Sequence, residues 1–134
     1  MHKWIVILAA TVVTACASTS GNQGPGGNAS VDAPPVRVTA GVLTNSTGMT
    51  LYTYDRDVPG SGKSECNGRC AFTWPPLLAT PDAKSSGKFT VIAREGGQRQ
   101  WAYKGKPLYL FSGDTEPGDN RGSGVNGVWQ VAMQ

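Results

Sequence analysis

Cys66 and Cys70 could form a disulfide, act as a redox-active thiol pair or contribute to a metal site. Three residues separate them, and two of these, Asn67-Gly68, are a strong turn pair. A redox pair usually has two intervening residues and lies at a helix N-terminus, where the helix dipole lowers the thiol pKa. Two cysteines alone do not complete a zinc site. The spacing therefore favours a structural disulfide, with redox or metal roles as the alternatives.

Carboxylates offer a second kind of chemistry. Asp57 and Asp114 each follow a run of aromatic residues, and two carboxylates could act as an acid–base pair of the glycosidase type. The loop that begins at Asp114 is rich in oxygen atoms, which calcium prefers as ligands. It lacks the ligand spacing and the closing glutamate of an EF-hand. Calcium is therefore an alternative, with four weak candidate ligands: Asp114, Glu116, Asp119 and Asn120.

The N-terminus predicts export and lipidation. After Lys3, residues 4–13 form an apolar run that as a helix would span about 15 Å, half of the ~30 Å hydrocarbon core of a bilayer. Such a run is typical of a signal peptide. It ends in Val13-Thr14-Ala15-Cys16, which resembles the bacterial lipobox. We expect cleavage of a signal peptide spanning residues 1–15, with diacylglycerol and a palmitate-type acyl chain on Cys16.

The lipid on Cys16 would make the membrane a partner of the chain, because two or three acyl chains suffice for stable anchoring. An Asp after the lipidated cysteine favours inner-membrane retention in enteric bacteria, and here that residue is Ala17. We therefore expect a cell-envelope protein, on the periplasmic face of the outer membrane if the source is Gram-negative. In this compartment a Cys66–Cys70 disulfide would persist.

Residues 16–36 predict a tether. They are rich in Gly, Ser and Pro and contain almost no large apolar side chains. Such a segment cannot offset the entropy cost of ordering its backbone. We expect a disordered tether that carries a folded domain at 37–134.

Composition narrows the function classes. His2 is the only histidine and would leave with the signal peptide. Its loss removes Ser-His-Asp and Cys-His catalysis and histidine ligation of zinc, copper or haem, so we expect no cofactor and lean away from an enzyme. Without Lys3, eleven Lys and Arg against nine Asp and Glu leave a net charge of +2. No basic stripe is present, and we expect no nucleic-acid partner.

An internal repeat organises the domain. Residues 51–57 (LYTYDRD) match residues 108–114 (LYLFSGD), and a tryptophan follows each copy, at Trp74 and Trp129. The repeat units are approximately 38–78 and 98–134. Short predicted strands separated by turn signals favour an all-β fold, a small antiparallel sandwich or barrel. We predict these strands at 38–44, 49–54, 88–94, 100–103, 108–111 and 128–132.

The repeated aromatic and acidic residues have two interpretations. Aromatic residues two apart in a strand share one face. They could fill the core while each aspartate accepts N–H bonds from the following turn, and a buried tyrosine hydroxyl would then need a partner such as that aspartate. Alternatively, the two aspartates lie close together across a pseudo-twofold axis and bind a ligand. The residues concerned are Tyr52, Tyr54, Asp57, Tyr109, Phe111 and Asp114.

In these features the chain resembles one protein family. The motif Y-x-[FWY]-x-x-D occurs twice, beside the lipobox and a C-x3-C-A-x-x-W-P-P segment from Cys66 to Pro76. The chain thus resembles the bacterial predicted lipoproteins named for that motif, also called secreted repeats of unknown function. The resemblance covers roughly 38–134 and implies a location and a repeat, but no reaction. The second copy lacks the cysteine pair.

Three functions are compatible with the sequence. The preferred one is a non-catalytic envelope module, binding or structural, whose loops on a rigid β scaffold contact an envelope protein or glycan. The second is a calcium-dependent binding or structural role. The third is a thiol-disulfide or carboxylate-based enzyme.

Overall fold

A computed structural model of the chain describes residues 33–134. The predicted signal peptide, Cys16 and nearly all of the predicted tether lie outside the described residues. Among residues 33–134, no helix is long and apolar enough to cross a membrane.

The first repeat begins with a hairpin. Strand β1 (Val36–Thr39) pairs antiparallel with β2 (Val42–Asn45). The two-residue turn between them is Ala40-Gly41, and both residues have positive φ, as a tight hairpin turn requires. The single strand predicted at 38–44 is therefore interrupted. After a turn closed by the Gly48 N–H bond to the Asn45 carbonyl, the chain enters β3 (Tyr52–Tyr54).

A short helix and a short strand complete the first repeat. The helix α1 (Arg69–Thr73) begins inside the cysteine segment and was not predicted, since five residues carry no periodic signal. Strand β4 (Leu78–Ala79) follows and pairs with a strand of the second repeat.

The second repeat contains the larger sheet. Strand β5 (Phe89–Ala93) pairs antiparallel with β6 (Arg99–Tyr103), which also pairs with β4 and β7 (Lys106–Pro107). A 3₁₀ turn (Val125–Gly127) precedes the last strand, β8 (Trp129–Val131), which pairs with β3 of the first repeat. The regular elements of the described chain are mostly short strands in small antiparallel sheets, which confirms the predicted all-β class with two repeats.

The two repeats exchange their final segments. Three backbone bonds close a ring in one half of the domain, which we call a lobe. The Leu43 N–H donates to the Ala132 carbonyl, the Ala132 N–H to the Leu51 carbonyl, and the Leu51 N–H to the Leu43 carbonyl. Ala132 comes from the end of the second repeat and the two leucines from the first. The other lobe has the same closed ring of three bonds, formed by Trp101, Leu77 and Leu108. Each repeat is therefore completed by the last segment of the other.

Buried side chains form two clusters. The larger one fills the space between the hairpins and consists of Leu43, Leu51, Leu77, Ala83, Trp101, Tyr103, Leu108 and Ala132. The smaller one lies where the repeats meet and consists of Tyr52, Cys66, Trp74, Tyr109 and Trp129. The repeated motif residues thus lie in or beside the smaller cluster.

Candidate functional site

Tyr52 and Tyr109 form the centre of the contact between the repeats. The Tyr52 N–H donates to the Tyr109 carbonyl at 2.8 Å, and the Tyr109 N–H donates to the Tyr52 carbonyl at 2.9 Å. This pairing is an isolated antiparallel bridge. Because equivalent residues of the two repeats pair with each other, the contact is reciprocal.

Each tyrosine side chain reaches the aspartate of the other repeat. The Tyr52 hydroxyl donates to Asp114 Oδ2 at 2.6 Å, and the Tyr109 hydroxyl donates to Asp57 Oδ2 at 2.6 Å. We call these two contacts the Tyr–Asp pairs. Distances this short are typical of hydrogen bonds to a charged acceptor. The motif therefore joins one repeat to the other.

The second oxygen of each aspartate caps the loop that follows it. Asp57 Oδ1 accepts the Glu65 N–H at 2.7 Å, and Asp114 Oδ1 accepts the Arg121 N–H at 2.9 Å. Both aspartates are buried, with 4% and 9% of their surface exposed. All four carboxylate oxygens thus accept bonds from within the protein. This is what the first interpretation of the motif requires, in which the aromatic rings fill the core and the aspartates cap the following turns.

Burial sets the protonation of the Tyr–Asp pairs. It raises the pKa of the Tyr52 phenol well above the ordinary value, and the bond to Asp114 adds to this. Burial and the bond to Asp57 raise the pKa of Tyr109 in the same way. Burial also raises the pKa of Asp57, although the Tyr109 bond opposes that shift. The tyrosines therefore remain neutral donors throughout the physiological pH range.

A buried arginine supports the Tyr109 side of the contact. Arg94 Nη1 donates to Ser64 Oγ at 2.9 Å and to Gln100 Oε1 at 2.7 Å, and Nη2 donates to the Cys66 carbonyl at 2.6 Å. Ser64 Oγ lies 2.7 Å from the Tyr109 hydroxyl. Sequence reasoning did not single out Arg94 or Gln100, because neither belongs to a spacing pattern.

Four stacked rings cross between the repeats, and we call them the aromatic column. Tyr54 stacks on Trp129 at 4.4 Å, Trp129 on Trp74 at 3.8 Å, and Trp74 on Phe111 at 4.3 Å between ring centroids. Within the column, Tyr54 and Phe111 thus each contact the tryptophan of the other repeat. Aromatic pairs of this kind contribute about 0.5–1.5 kcal/mol beyond their buried area.

The two cysteines form a disulfide. Cys66 and Cys70 are bonded, and their Cα atoms are 5.1 Å apart. Cys66 is fully buried in the smaller cluster. Cys70 is only partly buried, so burial shields one sulfur of the bond from thiol exchange and not the other, and a redox role stays an alternative for experiment. The bond also ties the first turn of α1 to the core.

The proposed calcium ligands lie in a loop held by its own N–H groups. Asp119 Oδ2 accepts the Thr115 N–H at 2.9 Å and the Glu116 N–H at 3.1 Å, and these bonds lower the Asp119 pKa. Glu116 and Asn120 are exposed. Within residues 33–134, no three His, Cys, Asp or Glu side chains are grouped so that they could hold a metal ion. Calcium binding stays a prediction for experiment.

The comparisons with known proteins identify a family. The model of the family described as a secreted repeat of unknown function, Lipoprotein_15, matches residues 36–78 and 90–133. The chain belongs to this family, and the two matches confirm that it contains two repeats; the second match begins at residue 90, ahead of the predicted unit 98–134. The family's description also indicates an extracytoplasmic location. No curated protein and no solved structure matches the chain.

Proposed function

We propose that the protein is a non-catalytic module of the cell envelope, attached to the membrane by the lipid on Cys16, that binds an envelope protein or glycan. The observation that supports this proposal is that the motif side chains form hydrogen bonds inside the protein. Tyr52, Tyr109, Asp57 and Asp114 are buried and bonded to one another or to loop N–H groups.

The absence of free reactive groups at the motif supports a binding or structural role. A general acid or base must reach the proton that it transfers, at about 2.6–3.2 Å. In each Tyr–Asp pair, the tyrosine hydroxyl and the aspartate carboxylate are already hydrogen-bonded to each other at 2.6 Å. In addition, the chain after residue 15 contains no histidine. The exposed loops around the two lobes then provide the surface that contacts a partner.

The lipid anchor supports the envelope location. The Val13-Thr14-Ala15-Cys16 segment precedes a stretch of low-complexity residues, and the family is named for lipoproteins. Ala17 in place of Asp favours the outer membrane in a Gram-negative source.

The test uses metabolic labelling in a Gram-negative host. We expect the wild-type chain to incorporate an alkyne-labelled palmitate and to sediment with outer-membrane fractions. Cys16→Ser should abolish the label, while Cys70→Ser should retain it. Ala17→Asp should keep the label but shift the protein to the inner membrane. Unlabelled wild-type protein, or equal labelling of Cys16→Ser, would contradict the proposal.

A further inference from the structure

A surface groove opens at the Tyr54 end of the aromatic column. It is shallow and open to solvent, with a volume of about 450 Å³. Tyr54, Arg56, Arg69, Thr73 and Asn126 are among the side chains that line it, and we call it the arginine groove. The buried tryptophans of the column form its floor.

The charge of the arginine groove is of one sign. Arg56 and Arg69 are both exposed, and no aspartate or glutamate lines the groove. Of the two acids beside Arg56 along the chain, Asp57 is buried and bonded to Tyr109, and Asp55 lies outside the groove lining and accepts a bond from Gln130 Nε2 at 3.1 Å. Within residues 33–134, the one salt bridge joins Arg121 to Asp119, so neither groove arginine has a carboxylate partner.

The scaffold does not require the two arginines. The offset of 57 residues that relates the motif copies places Gly113 where the first repeat has Arg56. The offset of 55 that relates Trp74 to Trp129 places Gly124 opposite Arg69. The second repeat thus builds the same stacked rings without either charge, and the arginines are free to serve a ligand.

Both arginines are attached to rigid neighbours. Arg69 lies in the loop that the Cys66–Cys70 disulfide closes and begins α1. Arg56 lies two residues beyond Tyr54, whose ring is fixed by stacking on Trp129. A backbone that is already ordered at both positions reduces the entropy cost of binding a ligand.

We propose that the arginine groove binds an acidic saccharide, a sugar that carries a carboxylate or a phosphate. This inference rests on the proposed binding function and names its ligand class. The planar guanidinium groups of Arg56 and Arg69 match the oxygens of a carboxylate or phosphate in a two-pronged geometry. The half-buried ring of Tyr54 offers an apolar surface to the C–H face of a pyranose, and Thr73 and Asn126 can bond its hydroxyls.

Calorimetric titration of the full chain, purified from membranes in non-ionic detergent, tests the proposal. The probes are trigalacturonic acid, a muramyl disaccharide and mannose 6-phosphate, with neutral galactotriose for comparison. The acidic probe that binds most tightly distinguishes uronic acid, cell-wall and phosphorylated sources. We expect saturable binding of at least one acidic probe, clearly tighter than galactotriose, and weaker at high salt because the arginines are exposed.

A charge-matched pair of variants separates the groove from the net charge. Arg56→Gln/Arg69→Gln should raise the Kd by at least about tenfold, a loss of about 1.4 kcal/mol. Arg37→Gln/Lys84→Gln removes the same charge from exposed positions outside the groove lining and should leave the Kd unchanged. Both variants should melt near the wild-type temperature, because all four side chains are exposed.

Two results would overturn the proposal: no saturable binding of any acidic probe, or the same Kd in both double variants. Neither result bears on the lipid label at Cys16, so failure of the groove and failure of the envelope location can be told apart.

Discussion

Removing the Tyr52 hydroxyl should weaken the contact between the repeats and lower the free energy of unfolding. Tyr52→Phe keeps the ring that packs edge-on against Trp74 at 5.4 Å and deletes the oxygen alone. That oxygen donates to Asp114 Oδ2 at 2.6 Å and accepts the Gly122 N–H at 3.2 Å. The change therefore leaves one carboxylate oxygen and one N–H buried without their partner.

The magnitude follows from these two lost bonds. A hydrogen bond to a charged group contributes about 1.5–3 kcal/mol, and a buried N–H without a partner costs about 1–3 kcal/mol. We expect Tyr52→Phe to lower the free energy of unfolding by about 3 kcal/mol. For a domain of this size, each 1 kcal/mol corresponds to about 4–8 °C in Tm, so the Tm should fall by about 12–24 °C.

Differential scanning calorimetry measures this shift, and Tyr103→Phe provides the control. Tyr103 is also buried, at 6% exposed, but no side-chain hydrogen bond of residues 33–134 involves its hydroxyl, which is also not a buried atom lacking a partner. Its variant should melt close to the wild type. Equal Tm changes for the two variants would refute the assigned role of the Tyr52 hydroxyl.

Three further predictions concern the disulfide, alkaline pH and calcium. Cys66→Ser should cost about 2 kcal/mol in the chain-entropy model for a five-residue loop without abolishing the fold, and an unchanged Tm in oxidising buffer would count against it. The folded pKa of Tyr109 is raised, so above pH 10.0 the unfolded chain loses this proton first and stability falls as pH rises. In urea melts above pH 10.0, Tyr109→Phe should therefore flatten that fall by about 1.4 kcal/mol per pH unit, and an identical slope would speak against the raised pKa. After EDTA treatment, calcium should leave the Tm unchanged, since no three His, Cys, Asp or Glu side chains of residues 33–134 are grouped to hold the ion. A saturating rise that Asp119→Asn erases would establish a calcium site instead.

The fold class could be predicted because its signals are local. The turn pairs and the short apolar runs each occupy a few consecutive residues, and the repeat is visible by comparing two short stretches 57 residues apart. The Ala40-Gly41 turn escaped prediction because alanine rarely adopts a positive φ, and here the tight hairpin imposes it. The helix α1 escaped because a tertiary anchor, the disulfide, holds five residues that have too little periodicity to detect.

The pairing of the motif residues could not be derived from the sequence. The sequence placed Tyr52 and Asp57 on one strand and its turn, so the aspartate of the same motif copy was the natural partner. The hydroxyl instead bonds an aspartate 62 residues away, because Tyr52 pairs with Tyr109 and so lies beside the turn of the other motif copy. Arg94 was missed for the same reason: its partners, Ser64 and Gln100, are brought together only by the tertiary fold.

A double-mutant cycle tests the reciprocal contact between the repeats most directly. Tyr52→Phe is combined with Asp114→Asn, its bonded partner in the other repeat, and separately with Asp57→Asn, the aspartate of its own repeat. We expect a coupling energy of about 1–2 kcal/mol in the first cycle and a smaller one in the second, because residues in contact couple and separated residues add. A larger coupling between Tyr52 and Asp57 would contradict the pairing of Tyr52 with the aspartate of the other repeat.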